Sequence, residues 1–364
     1  MKFICTTEYL QNATTIVERF TGKHVTLPIL GYIKITTGSG HILLSATNLE
    51  MGVEYSIPGK VNKPGTVTLP ARLLTQSLHV IEGETISIEL VKQNIVLTTP
   101  SSTVTLLGLN PDDFPTTPAI QNEYTFTIDA AAFIPSIEQV IPAVATSDLK
   151  PELAGVLFGH TPASLTIAAT DSFRLAEKTI RYAKPQKDTV ECIVPRPVIQ
   201  ELTRIIPPDN DIAVLLGEHQ VMFEWGPVKI LSRLIDGSYP PYQNLFPKVF
   251  ETTITAPRGD LEKRVRLAAV FSSRLSDVTL EYSQGELTVR AESGESGGTT
   301  TRLAVKASGK SGAVMFNYRY LLDGLEAAHG DTVVLRMNGS TGPTLIENPA
   351  DPSFRYLIMP IRSV

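Results

Sequence analysis

Side chains that could carry out catalysis are scattered along this chain and form no known motif. The six histidines lack the spacing of HExxH or another metal site, and there is no CxxC pair. Gly309-Lys310-Ser311 resembles the end of a phosphate-binding P-loop, but Ala304 stands where its first glycine should be. Asp112-Asp113 could be a carboxylate pair, yet it recurs 125 residues later as Gly237-Ser238, which favours a turn. The residues therefore predict no enzyme, no metal and no cofactor.

Positively charged side chains are the other candidates for chemistry, and they lie on or beside segments with helical spacing. They are Arg19, Lys23, Arg72, Lys150, Arg196, Arg204, Arg258, Lys263, Arg264, Arg266 and Arg274. Each segment by itself is consistent with a solvated helix face. If equivalent helices faced one another across a hole, the same charges would attract nucleic acid phosphates. The charges are not interleaved with aromatic residues and no helix-turn-helix pattern is present, so such binding would not depend on base sequence.

The segments that carry these residues belong to an internal repeat with a period near 124 residues. Three segments recur: Ala46-Thr47-Asn48 as Ala169-Thr170-Asp171, Asp113-Phe114-Pro115 as Ser238-Tyr239-Pro240, and Leu73-Leu74 as Val198-Ile199 and Leu321-Leu322. The shifts are 123 or 125 residues. This period is much longer than that of a solenoid repeat, and 364 residues then hold three copies of one domain.

Each copy is predicted to contain two amphipathic helices among strands. Apolar residues recur at helical spacing after Tyr9, Phe133 and Leu261, and again in the Leu73-Leu74 segment and its two repeats. Asp260 is well placed to be the N-cap of the third copy's first helix. Pro135 is unfavourable inside the second copy's first helix, so that helix is expected to start later or to bend.

The rest of each copy alternates between apolar and polar residues, as half-buried strands do. Val278, Leu280 and Tyr282 precede Gln284-Gly285, which predicts a hairpin. The expected fold is α+β, with helices packed on antiparallel sheets. We place the three domains at residues 1–120, 121–247 and 248–364, with boundaries in the Thr/Pro-rich stretch before 120 and near Pro247-Lys248.

Composition is that of an ordinary globular protein, with 42% hydrophobic and 19% charged residues. No apolar run has the length of a membrane span, and no secretory signal follows Met1. Cys5 and Cys192 lie in different repeats, which suggests free thiols in a reducing, cytoplasmic compartment. The net charge of -5 does not exclude nucleic acid, because a basic inner surface can coexist with an acidic outer one.

Short motifs in a fixed order make the whole chain resemble the bacterial sliding clamps, the β subunits of DNA polymerase III holoenzyme. The motifs are Met1-Lys2-Phe3, Thr26-Leu27-Pro28-Ile29-Leu30-Gly31, Ala169-Thr170-Asp171-Ser172-Phe173-Arg174-Leu175-Ala176, Asp236-Gly237-Ser238-Tyr239-Pro240-Pro241-Tyr242 and Met359-Pro360-Ile361-Arg362. The resemblance implies three DNA-clamp domains per subunit and a head-to-tail homodimeric ring that encircles duplex DNA and slides. It also implies partners, namely replicative DNA polymerase, clamp loader and repair proteins, which bind through short peptide motifs.

The resemblance assigns residues to three sites. A peptide-binding groove between the second and third domains is lined by Leu153, Thr170, Ser172, Phe173, Arg174, Leu175, Pro240, Leu245, Tyr320, Leu357, Met359, Pro360 and Arg362. The residues expected to face DNA are Lys23, His24, Arg72, Lys150, Arg196, Arg204, Lys263, Arg264 and Arg266. The subunit interface is expected to place Val104 and Leu106 of one copy against Val270 and Phe271 of the other. Apart from the resemblance, most groove residues would suit any interdomain core, and interface residues should be exposed in the single chain.

The chain departs from the family pattern at three places. Lys150-Pro151-Glu152 stands where clamps carry DNA-touching aromatics, and Ser172-Phe173 stands where glycine and histidine are familiar. Ser363-Val364 extends past the terminal arginine. These differences leave open a specialised or drug-resistant spare copy of the clamp. A second alternative is an enzyme that uses the interdomain groove for a small substrate, which would require a polar, titratable groove.

Overall fold

The computed structural model describes residues 1–22, 27–38, 40–92, 94–116, 120, 124–147, 149–294 and 297–362. The chain divides into two compact units, Met1–Ala131 with Arg204–Leu234, and Ala132–Thr203 with Ile235–Val364. Each unit contains two antiparallel sheets. None of the described helices is long and apolar enough to cross a membrane.

The first unit has a five-stranded and an eight-stranded sheet. Their strands are β1 (Lys2–Thr6), β2 (Tyr32–Thr37), β3 (His41–Thr47), β4 (Met51–Pro58), β5 (Lys60–Lys63), β6 (Gly65–Pro70), β7 (Thr85–Val91), β8 (Asn94–Thr98), β9 (Thr103–Leu107), β10 (Tyr124–Asp129), and, from the second stretch, β15 (Asp211–Leu216), β16 (Gln220–Trp225) and β17 (Val228–Arg233). The strand orders are β5-β1-β7-β8-β9 and β10-β15-β16-β17-β4-β3-β2-β6. The larger sheet joins strands from the first and second repeats through the pair β4–β17.

The second unit has a nine-stranded and a four-stranded sheet. Their strands are β11 (Gly155–His160), β12 (Ser164–Thr170), β13 (Arg174–Arg181), β14 (Val190–Pro195), β18 (Thr252–Pro257), β19 (Asp277–Ser283), β20 (Glu286–Ser293), β21 (Gly297–Ala304), β22 (Lys306–Gly309), β23 (Gly312–Asn317), β24 (Thr332–Met337), β25 (Thr344–Asn348) and β26 (Asp351–Ile358). The orders are β14-β11-β12-β13-β26-β25-β24-β18-β22 and β21-β20-β19-β23. Here the pair β13–β26 joins the second and third repeats.

Two helices per repeat pack on these sheets, as the apolar spacing predicts. They are α1 (Thr7–Val17), α2 (Ala71–Val80), α3 (Ala130–Val140), α4 (Arg196–Ile205), α5 (Arg258–Ala269) and α6 (Tyr318–Ala327). In α4 the buried residues Val198, Ile199 and Leu202 form a single stripe. This arrangement confirms the α+β fold, whereas the domain boundaries near 120 and 247 stay a prediction.

Two expectations about where helices start are wrong, whereas the alternative of a bend at Pro135 stays a prediction. The N-cap of α5 is Pro257, so Asp260 lies in the first turn of the helix, where its negative charge is still favourable. Helix α3 neither starts after Pro135 nor ends there, because Pro135 lies inside Ala130–Val140 on an exposed position. Proline removes one backbone hydrogen bond at that point.

The turn and strand assignments also show how two short motifs from the sequence are folded. Asp112-Asp113 forms a 3-10 turn in which the Asn110 side chain accepts a hydrogen bond from Asp112 N. Gly309 ends β22 and β23 begins at Gly312, so Gly309-Lys310-Ser311 connects two strands and does not open a helix as a P-loop does.

Candidate peptide-binding groove and charged surfaces

The turn between β12 and β13 shapes the surface where most predicted groove residues meet. The Asp171 carboxylate accepts hydrogen bonds from Phe173 N (2.9 Å) and Arg174 N (3.0 Å). Thr170 Oγ1 donates to Arg174 O (2.6 Å) and accepts from Ser172 N (3.1 Å). Ser172 has φ of 76°, a left-handed conformation that is uncommon without glycine. These bonds hold the turn so that the Phe173 ring projects outward, 61% exposed.

Arg174 is held in place by two carboxylates and one aromatic ring. Its Nε donates to Asp171 Oδ2 (3.0 Å), and its terminal nitrogen forms an ion pair with Asp323. The guanidinium lies 4.3 Å from the centre of the Tyr320 ring, a cation–π arrangement. Burial alone would lower the pKa of Arg174, but Tyr356, Asp323 and Asp171 outweigh it and raise the pKa above its usual value. Arg174 is thus fixed next to the cavity, with its charge compensated by Asp171 and Asp323.

An open cavity of about 560 Å³ lies beside this turn. Its lining is Ser172, Phe173, Leu275, Asn317, Tyr320, Met359, Pro360, Ile361 and Arg362. The rings of Phe173 and Tyr320 are nearly parallel, with centroids 6.5 Å apart. The chain after β26 closes the floor, because Met359 N donates to Phe173 O (2.8 Å) and Ile361 N donates to Met315 O (2.8 Å). The volume and the mostly apolar lining are those of a ligand pocket.

The thirteen predicted groove residues fall into four groups. Six line the cavity: Ser172, Phe173, Tyr320, Met359, Pro360 and Arg362. Leu153, Leu175 and Leu357 are each less than 5% exposed and belong to a buried cluster with Tyr239 and Tyr242. Thr170 and Arg174 hold the turn, and Pro240 and Leu245 are exposed outside the cavity lining. The exposed part of the site is therefore aromatic, and the leucines support it from beneath.

Three residues of the lining were missed by sequence reasoning. Leu275 is 67% exposed, but nothing in its sequence context marks it as part of the site. Asn317 caps α6 by accepting a hydrogen bond from Arg319 N (2.9 Å), and an Asn before an apolar helical run is a signal that could have located it. Ile361 lies within the terminal motif between two predicted residues.

No side chain in this lining can act as a general base. Its polar side chains are Ser172, Asn317, Tyr320 and Arg362, and it contains no Asp, Glu, His or Cys. Among the described residues, no three His, Cys, Asp or Glu side chains form a group that could hold a metal ion. The cavity is thus suited to binding an apolar group rather than to acid–base catalysis.

The predicted DNA-facing residues differ in how free their charges are. Lys23 and His24 lie outside the described residues, as does the extension Ser363-Val364. Arg72, Lys150, Arg204 and Lys263 are exposed, and Arg196 is half-buried. Arg266 forms an ion pair with Glu326, and Arg264 donates to the carbonyl oxygens of Arg302 (2.9 Å) and Asp260 (2.8 Å). Of the basic residues on α5, Lys263 is the most available, with a side chain 79% exposed and 4.0 Å from Asp260.

The four predicted interface residues also divide by exposure. Val270 is 70% exposed, whereas Val104 and Phe271 are half-buried. Leu106 is only 7% exposed, so it does not meet the expectation of an exposed apolar residue. The next residue, Leu107, is 70% exposed, because successive side chains of β9 point to opposite faces of the sheet. Alternation along β9 could have indicated Leu107.

The comparison with known families matches almost the entire chain. The N-terminal, central and C-terminal domains of the DNA polymerase III beta subunit match residues 1–118, 127–241 and 243–362 in that order.

Individual relatives match over their full length. The chain is 27% identical to the beta sliding clamp of Staphylococcus epidermidis, with 100% of both chains covered. It is similar to the solved DNA polymerase III subunit beta of Pseudomonas aeruginosa (26% identity, TM-score 0.96) and to the solved DNA polymerase sliding clamp of Bacillus subtilis (25% identity, TM-score 0.96), again with 100% of each chain covered.

Proposed function

This chain belongs to the DNA polymerase III beta subunit family, and we propose that it is the processivity factor of a replicative DNA polymerase. It acts as a sliding clamp, a homodimeric ring that encircles duplex DNA, moves along it without sequence specificity and tethers polymerase and repair proteins. The main support for a ring is that the same order of strands recurs at each junction between repeats.

Two junctions within the chain are built from strands in the same order. In the first, β6-β2-β3-β4 meets β17-β16-β15-β10, and in the second, β14-β11-β12-β13 meets β26-β25-β24-β18. Two further four-strand units do not take part in these junctions. The unit β23-β19-β20-β21 has the order of the first half of a junction, and β9-β8-β7-β1 has the order of the second half. In the part of the chain that the structure describes, β21 and β9 have no neighbour on their outer side. Unpaired strand edges favour association, and a head-to-tail dimer would pair β21 of one copy with β9 of the other twice.

The repeat also predicts the register of this pairing. Met51 pairs with Ser232 in β4–β17, and two shifts of 123 residues lead from Met51 to Gly297. The strand pairs of β7 to β9 and of β15 to β17 are related by a shift of 126, which leads back from Ser232 to Leu106. Gly297 should therefore lie opposite Leu106 of the second copy, and Thr300 opposite its Thr103.

Cross-linking tests this register directly. Thr103→Cys with Thr300→Cys should form a disulfide-linked dimer under mild oxidation, because directly opposed residues in antiparallel strands come close enough for a disulfide. Thr105→Cys with Thr300→Cys, which is offset by two residues, is the matched control and should cross-link poorly. Equal cross-linking of the two pairs, or no cross-linking of either pair, would contradict the proposed register.

Loose attraction to DNA follows from the charges on the helices. The six helices carry eight Arg or Lys and seven Asp or Glu residues, a net charge of +1, so the rest of the chain carries -6 of the total of -5. The helices are thus the less negative part of the molecule, yet they lack a dense basic patch. Such a surface supports phosphate attraction without a tight bond that sliding would have to break. Retention on DNA then comes from closure of the ring.

Partner proteins are proposed to bind in the cavity beside Phe173 through short extended segments. The parallel rings of Phe173 and Tyr320 offer a flat apolar wall, Met359 can adapt to different side chains, and the exposed Arg362 can meet a backbone carbonyl or a carboxylate. Large aromatic side chains around a pocket are typical of the residues that dominate peptide affinity.

Binding of a fluorescent Gln-Leu-Ser-Leu-Phe peptide tests the groove. Phe173→Glu is the main variant because its side chain is exposed and the substitution should leave the core intact. Leu175→Glu is less informative alone, since Leu175 is buried and the variant can lose its fold. Saturable binding that Phe173→Glu abolishes and Val249→Glu preserves supports the groove, because Val249 is exposed and lies outside the predicted groove residues. Failure of the folded parent protein to bind would favour a specialised clamp copy with altered partners.

An enzyme that uses the same cavity is the weaker candidate, because the lining offers no titratable acid or base near neutral pH. A cytoplasmic location, a clamp loader as partner, and the absence of catalysis and cofactors remain parts of this proposal. Assaying purified protein for nuclease and nucleotide hydrolysis activity checks the enzyme alternative.

A further inference from the structure

A second cavity of about 310 Å³ lies in the first unit, at the turn between β3 and β4. Its lining is Thr47, Leu49, Glu50, Met51, Gly52, Pro115, Thr116, Gln220, Leu231 and Arg233. The volume is at the lower end of the range for ligand pockets, and the apolar residues Leu49, Met51 and Leu231 form part of its wall.

This turn has the same backbone hydrogen bonds as the turn that shapes the groove. Asn48 Oδ1 accepts from Glu50 N (3.0 Å) and Met51 N (2.8 Å), as Asp171 does from Phe173 N and Arg174 N. Thr47 Oγ1 donates to Met51 O (3.0 Å) and accepts from Leu49 N (3.0 Å), as Thr170 does 123 residues later.

The two turns also agree in one left-handed φ angle and in a backbone hydrogen bond from the segment that lies beside them. Leu49 has φ of 78°, close to the 76° of Ser172, although neither residue is glycine. Arg233 N donates to Glu50 O (3.0 Å), just as Met359 N donates to Phe173 O. The first junction therefore presents the same backbone frame to solvent as the candidate groove.

The side chains on this frame differ from those of the groove, and two of them, Glu50 and Arg233, carry opposite charges. Glu50 occupies the position of Phe173, and Arg233 that of Met359. Both are exposed at the rim, and within the described part of the chain neither side chain forms an ion pair. An exposed Glu and an exposed Arg at the rim of an apolar cavity favour a ligand with an apolar group and one charge of each sign.

We propose that this cavity is a second peptide site, which binds an extended segment of a partner protein through an apolar side chain flanked by a basic and an acidic residue. The basic residue would meet Glu50 and the acidic residue Arg233. The choice of a peptide as the ligand rests on the proposed function, because it follows from the equivalence with the groove, whereas the charge pattern belongs to this cavity alone.

Methionine methyl groups allow both sites to be observed in one sample of the full-length protein. Of the six methionines, Met51 lines this cavity and Met359 lines the groove. We would label the methionine methyls with ¹³C and titrate the protein with acetylated, amidated Lys-Ser-Leu-Leu-Ser-Asp and with its charge-reversed form, Asp-Ser-Leu-Leu-Ser-Lys. One of the two should shift the Met51 signal saturably and leave Met359 unchanged, while Gln-Leu-Ser-Leu-Phe should do the opposite.

Charge variants test the recognition. Arg233→Glu should weaken the preferred peptide about five-fold or more, in line with the loss of a favourable rim pair. The double variant Glu50→Arg with Arg233→Glu should bind the charge-reversed peptide better. Arg181→Glu, at an exposed arginine outside both cavities, is the matched control and should change nothing.

Three results would overturn the proposal. They are the absence of any saturable Met51 shift, an equal shift with a peptide in which both leucines are serine, and a Met51 shift that appears on concentrating the protein without peptide, which would identify a second copy of the chain as the occupant. Loss of the Met359 response alone would count against the proposed groove and leave the second site standing.

Discussion

Val270 offers the sharpest test of the proposed ring. It follows the last residue of α5, is 70% exposed in the single chain, and is expected to be covered by the second copy. Replacing it with Asp leaves the helix hydrogen bonds in place but brings a carboxylate into an apolar contact. We expect Val270→Asp to be a folded monomer at concentrations where the parent protein is a dimer.

The size of the effect follows from the exposed area and from symmetry. Full burial of a valine side chain contributes about 1.5–3 kcal/mol, so covering the exposed 70% contributes about 1–2 kcal/mol at each interface. A buried, unpaired carboxylate adds a penalty of at least about 1 kcal/mol. Because a two-fold ring has two identical interfaces, the total is about 4 kcal/mol or more, which weakens dimerisation by roughly 10³-fold.

Sedimentation velocity over a concentration series measures this shift. Val249→Asp is the matched control, because Val249 is 80% exposed and lies outside the proposed interface. Both variants should retain the parent's circular dichroism spectrum. A Val270→Asp protein that dimerises as tightly as Val249→Asp would refute the assignment of this end of α5 to the interface.

Three further outcomes follow from single residues. Lys263→Gln should reduce the slope of log K against log salt for duplex DNA by about 0.9, since one phosphate contact is lost, whereas an unchanged slope would mean that Lys263 faces elsewhere. Leu357→Ala should lower the free energy of unfolding in urea by about 2–5 kcal/mol, and Leu245→Ala, at an exposed site, by less than about 0.5 kcal/mol. Burial raises the pKa of Cys5 from 9.0 to about 12, so Cys5 should resist iodoacetamide at pH 8. Because the folded thiol holds its proton more tightly, the free energy of unfolding should fall as pH rises above 9, by about 1.4 kcal/mol at pH 10 in urea titrations.

The repeat in the sequence is matched by a repeat in the strands. The shift of 123 residues maps Met51–Pro58 onto Arg174–Arg181 and then onto Gly297–Ala304, and all three ranges are strands. The reason is that a similar alternation of side chains sets which face of each copy's strand is buried. Helix starts were less predictable, because the buried stripe of Leu261, Val265 and Ala268 sets where α5 packs, and Pro257 rather than Asp260 precedes it.

Six of the thirteen residues predicted for the groove line the cavity, and the sequence did not indicate which of the thirteen would be exposed. Leu175 pairs with Leu357 across β13–β26, which brings together segments about 180 residues apart. That pairing buries Leu175 and leaves Phe173, two residues earlier, in solvent. A linear motif contains no information about which member of a turn is covered by a distant strand, so residues of the motif and residues of the open cavity only partly coincide.

The two turns separate what the fold requires from what recognition requires. At both junctions the hydrogen bonds come from a threonine, from an Asn or Asp and from the backbone, and these groups recur 123 residues apart. The next two residues, Leu49-Glu50 and Ser172-Phe173, make none of these bonds with their own side chains, and the two sets differ at both positions. Since the frame tolerates such different side chains, we expect the binding preference of each junction to depend on these residues and on the chain that returns beside them. The proposed groove and the proposed second site would then be two specificities built on one structural unit.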